Sequence, residues 1–81
     1  MSVVHQGEVE VEGLLCTWFV NRDSARRYNA VVQYRDPPGK VHISVSKELQ
    51  ARPGDRDTAR GLCDELLPEF SRAIRSFRAG P

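Results

Sequence analysis

Two runs of alternating residues, separated by an unambiguous turn, constrain this chain more than any other feature. Over residues 27–35, Tyr28, Ala30, Val32 and Tyr34 occupy one set of alternate positions, and Arg27, Asn29, Val31, Gln33 and Arg35 occupy the other. Over residues 41–46, Val41, Ile43 and Val45 alternate with His42, Ser44 and Ser46. Successive side chains of a strand point to opposite faces, so each run reads as a strand with an apolar face and a more polar one. Between them lies Asp36-Pro37-Pro38-Gly39. Proline presets φ and glycine accepts positive φ, so this tetrapeptide closes a hairpin.

A strand precedes this pair. Val9 and Val11 alternate with Glu8, Glu10 and Glu12, and after Gly13 the run Leu14-Leu15-Cys16-Thr17-Trp18-Phe19-Val20 is almost wholly apolar. We read residues 3–20 as one long strand bent at Gly13, a common place for a bulge. The alternative makes Gly13 a turn and residues 3–11 a fourth strand. Asn21-Arg22-Asp23-Ser24 are turn formers and connect this strand to the next.

The C-terminal third has helical periodicity. Ala59, Leu62, Cys63, Leu66, Leu67, Phe70, Ile74 and Phe77 recur at spacings of three and four, while Asp64, Glu65, Arg72 and Arg75 take the other side. Asp55 or Asp57 supplies an N-cap, and Gly80-Pro81 a stop. The stripe keeps its phase across Pro68, so one long helix kinked there is the preferred reading over two short ones. Residues 47–55 read as a loop.

The expected fold is therefore α+β in the order β-β-β-α. A three-stranded antiparallel meander, with a fourth N-terminal strand as the alternative, has one face covered by a single C-terminal helix. At 81 residues the chain is one small domain with a limited core. No apolar run reaches the roughly 20 residues of a membrane span, and the first residues lack a signal-peptide pattern.

Chemistry is sparsely signalled. Cys16 and Cys63 share no paired spacing with each other or with His5 and His42, so neither a metal nor another cofactor is expected. Both thiols are expected reduced and buried, as in a cytoplasmic protein. No recognised catalytic motif occurs. His42 and Ser44, about 7 Å apart on one strand, lack a third group to orient the imidazole, so the chain is not expected to be an enzyme. Asp55 with Asp57, and Asp64 with Glu65, are explained by a helix start and a helix surface.

Binding remains. If both faces of the first strand are apolar, a single helix leaves one uncovered, and an uncovered apolar patch usually marks association. A protein partner and a homodimer are the expectation, through Trp18 and the polar positions Arg27, Gln33, Arg35, His42 and Ser44. The alternative is a nucleic-acid binder using the same polar face, with Arg22 and Arg26 beside it. Twelve basic against eleven acidic residues, a net charge of +1, weigh against that alternative. Glu8, Glu10 and Glu12 form an acidic row and Arg72, Arg75 and Arg78 a basic end, able to meet within one chain or between two.

Overall fold

The computed structural model describes residues 2–24 and 27–80. Four strands, β1 (Ser2–Val11), β2 (Leu14–Ser24), β3 (Arg27–Arg35) and β4 (Val41–Leu49), form one antiparallel sheet in the order β1-β2-β3-β4. Two helices follow, α1 (Arg56–Asp64) and α2 (Leu67–Ala79). The domain is α+β, with one strand and one helix more than the preferred sequence reading.

The additional strand comes from Glu12 and Gly13. Both have positive φ, 51° and 80°, and Val11 pairs directly with Leu14 across them. Two central residues with φ above zero make the tight hairpin turn whose twist matches the flanking strands. Gly13 takes that conformation without a Cβ penalty. Residues 3–20 are thus two strands and not one bent strand.

The β3–β4 turn forms where expected. Asp36 holds it at both ends: its Oδ1 accepts the Lys40 amide at 2.8 Å and its carbonyl accepts that of Gly39 at 2.8 Å. Strand β4 runs to Leu49, through residues expected to be loop. Val45 and Leu49 continue the alternation on the covered face, and Lys47 between them carries its ammonium to Glu65, 2.8 Å away. The two residues between β2 and β3, including Arg26, lie outside the described residues.

The helical region is also divided. Asp55 caps α1, accepting the Thr58 amide at 2.7 Å. The helix ends at Asp64, the amides of Glu65 and Leu66 turn back to the Cys63 carbonyl, and α2 begins with Pro68 in its first turn. Proline costs little there, because its missing N–H would have no intrahelical partner. The expected kink is a break, and the apolar stripe continues across it because the turn is short.

Helix α1 lies across β1, β2 and β3, and α2 runs along β4. The core between sheet and helices contains Cys16, Trp18, Val20, Ala30, Val32, Ile43 and Leu49 from the strands. Ala59, Cys63, Leu66, Phe70 and Ile74 face them from the helical layer.

Candidate interaction surface

Residues directly opposed in a sheet share a face, so the register defines the uncovered surface. Since Trp18 and Val20 point into the core, Phe19 between them points outward. One transverse row is Gln6–Phe19–Val31–Ser46, and the next is Glu8–Thr17–Gln33–Ser44. Glu10 lies opposite Leu15, and Asn29 opposite Glu48. This face has an apolar centre with a polar border. Leu15 is 63% exposed, Phe19 is half-buried, and Val31 is sunk between its neighbours.

Of the residues expected to bind a partner, Arg27, Gln33, Arg35 and Ser44 lie on this surface. Gln33 and Ser44 face one another, with Nε2 and Oγ 3.5 Å apart. Arg35 is turned toward its own hairpin and donates to the Gly39 carbonyl at 2.9 Å. Arg27 begins β3 and is exposed.

Trp18 is elsewhere. It lies on the covered face, 1% exposed, beneath the guanidinium groups of Arg56 and Arg60, at 5.2 and 5.8 Å from the ring centroid. Stacking of a guanidinium over an indole is favourable and shields the ring from water. Gly7 opposite makes room for it: a Cβ there would lie 2.6 Å from Trp18 Nε1 and 2.7 Å from Arg56 Nη2. Alternation alone gives the parity of Trp18 but not which parity the helices cover.

His42 also departs from its expected place. Tyr34 opposes Ile43 but Arg35 opposes Val41, so His42 is the additional residue of a bulge. Its ring turns from the Ser44 side to lie 5.8 Å from Tyr34 and 5.4 Å from Phe77 of α2, and Nε2 lies 2.7 Å from Asp36 Oδ2. The structure therefore does not bring His42 and Ser44 together. That contact and the Lys40 amide hold the Asp36 carboxyl below its ordinary pKa of 3.8.

The cysteines are free thiols in the core, and burial pushes the pKa of each upward. A protonated thiol is a poor nucleophile and a poor metal ligand. Among the described residues, no group of three His, Cys, Asp or Glu side chains is placed to hold a metal ion. A depression lined by Gln6, Gly7, Glu8 and Thr17 has a volume of about 220 Å³, below the usual range of small-molecule sites. Among the described residues no helix is long and apolar enough to cross a membrane.

Charge divides unevenly over the molecule. Among the described residues in register, the uncovered face carries Glu8, Glu10 and Glu48 against Arg27 and Arg35. The acidic row and the basic end do meet within the chain at one point, where Arg75 Nη1 lies 3.6 Å from Glu12 Oε1. Both side chains are substantially solvated, so this pair adds little stability. Compared with known proteins, the chain matches no family model, no curated protein and no solved structure.

Proposed function

We propose that this domain is a small non-catalytic binding module that recognises a protein partner through the uncovered face of its sheet and associates with itself as a homodimer. One observation carries the reading: on a sheet face that none of the described helices covers, half-buried Phe19 and buried Val31 form an apolar centre, and Leu15, 63% exposed, adds apolar area near the β1–β2 turn. Apolar centres with polar borders are the usual anatomy of protein interfaces. Gln33, Ser44, Arg27 and Arg35 supply the border. Buried free thiols suit a reducing compartment, and we place the protein in the cytoplasm.

The charge of the face favours protein over nucleic acid. Among the described residues in register on it, three carboxylates against two guanidiniums give no basic excess, and a phosphate backbone is bound by one.

The test is retention of a partner from cell extract on the immobilised chain, wild type against Leu15→Glu. A carboxylate at the most exposed apolar position of the face removes the partner, while Glu69→Gln, exposed on α2 behind the sheet, keeps it. A partner held equally by Leu15→Glu disproves the proposed surface. Binding of single-stranded oligonucleotides that weakens steeply with salt would replace the reading with the nucleic-acid one.

A further inference from the structure

The sheet has two free edges, and they are not equivalent. Strand β1 is poorly suited to accept another strand. Its ladder is interrupted between Val3 and His5, and Arg56 Nη2 donates to the Gln6 carbonyl at 3.3 Å. Glu8 and Glu10 follow with no Lys or Arg on the strand. Two antiparallel copies of β1 centred on Glu8, Val9 or Glu10 would set carboxylate against carboxylate. Bulges and charges of this kind are the usual means of blunting an edge.

Strand β4 also has a bulge and charges, but they are placed differently and the charges are of both signs. Its bulge is confined to the start, at His42, leaving residues 43–49 regular. No proline interrupts it. Its inward charge, Lys47, is held on Glu65 of the helical layer. Val41, 37% exposed, lies at its start, and Phe77, 48% exposed, packs beside His42. Exposed apolar area therefore borders the edge at that end.

The regular segment is also complementary to itself. A two-fold axis through Ser46 uses all seven regular residues. It places Ile43 opposite the partner's Leu49, Ser44 opposite the partner's Glu48, and Val45 opposite the partner's Lys47. Ile43 and Leu49 pair apolar groups, the Ser44 hydroxyl meets a carboxylate it can donate to, Val45 meets a lysine whose ammonium is held on Glu65, and no like charges are opposed. Direct cross-strand pairs are the unit of sheet stabilisation, so this register favours self-pairing.

We propose that a second copy of this chain adds to the free edge of β4, antiparallel and centred on Ser46, joining two four-stranded sheets into one of eight strands. This rests on the self-association in the functional reading and specifies its geometry. Edge pairing leaves both uncovered faces on the same side of the joined sheet, so the dimer presents two copies of the recognition surface to a partner.

The experiment uses the full chain carrying Ser46→Cys or Ser44→Cys under mild oxidation, with light scattering of the wild type and of Ser46→Lys. The native thiols are 2% and 1% exposed and give little background. Ser46→Cys opposes itself across the axis and forms a covalent dimer of twice the 9.1 kDa chain mass. Ser44→Cys faces the partner's Glu48 and links at least tenfold more slowly. Ser46→Lys, which sets like charges against each other, weakens the dimer at least tenfold. Equal crosslinking by the two cysteine variants overturns the register, whatever Ser46→Lys does to folding. A dimer that survives Ser46→Lys but is lost in Leu15→Glu moves self-association to the face and overturns the edge. A monomeric wild type sinks the edge proposal together with the self-association it rests on, and leaves the recognition surface to be judged separately by partner retention and its loss in Leu15→Glu.

Discussion

The two faces of this sheet are built from the same strands, one residue apart, yet they differ in almost every physical property. On the covered face Trp18, Val20, Ala30 and Val32 are at most 1% exposed. On the other, Phe19 and Thr17 are half-buried and Leu15 is mostly in water. Strand β2 carries apolar groups on both faces, but the helical layer of α1 and α2 lies on one. A chain of this length therefore stabilises itself with one face and leaves apolar area on the other. The difference separates stability from recognition: substitutions on the covered face should act on folding, and those on the uncovered face on binding.

The sharpest way to break this distinction is to truncate neighbours. Trp18→Ala should cost about 3–5 kcal/mol, enough to unfold much of a marginal small domain. Phe19→Ala, one residue away, should cost clearly less, because its ring keeps part of its surface in solvent in the folded chain. Urea denaturation followed by circular dichroism measures both. Equal losses would mean that the uncovered face is part of the core.

Glycines extend the test at smaller magnitude. Gly7→Ala drives a Cβ against the Arg56 guanidinium, which can shift, and against the Trp18 indole, which is sunk in the core and cannot retreat far, and should cost about 1–3 kcal/mol. Gly61→Ala, in α1 with nothing within 4 Å of the added methyl, should stabilise by about 0.5–1 kcal/mol. Thermal melts should move in opposite directions. A neutral Gly7→Ala would show that the indole is not tightly seated against β1.

How much of this was legible in the sequence depended on whether the determining interaction was local. Asp36-Pro37-Pro38-Gly39 and the Asp55 cap were readable, because a turn and a cap are set by a few neighbouring side chains. Glu12-Gly13 was weaker as a signal: the common hairpin pairs are Asn-Gly and Asp-Gly, and a glutamate with φ of 51° is unusual. At Pro68 the unbroken apolar stripe favoured a kinked helix, but a helix start after a short turn keeps the same phase, so the stripe does not separate the two. Trp18 could be placed on a face but not in the core until the position of the helices was known. His42 was displaced by a single bulge, which alternation cannot anticipate. The candidate surface was therefore legible as a residue parity, with Leu15 and Phe19 identified as its apolar members only by the helices lying opposite.

The smallest effect concerns the point where the two faces exchange a residue. The bulge carries His42 out of the open-face alternation, and Asp36 holds it at 2.7 Å. The lowered Asp36 pKa, due first to the His42 ring and then to the Lys40 amide, links this contact to pH. In the unfolded chain the carboxyl takes a proton near its ordinary 3.8, whereas in the folded chain it does so only at lower pH. Its contribution is therefore complete above 3.8 and is lost as pH falls through that value toward the folded pKa. Asp55, lowered by the Thr58 amide and hydroxyl, acts in the same direction. Melting temperature should thus fall between pH 5 and pH 2 in the wild type and fall less steeply in Asp36→Asn. Near neutral pH Asp36→Asn should cost little, because the contact is solvated. An acid limb of unchanged slope would show that His42 is held on the covered side by Tyr34 and Phe77 alone.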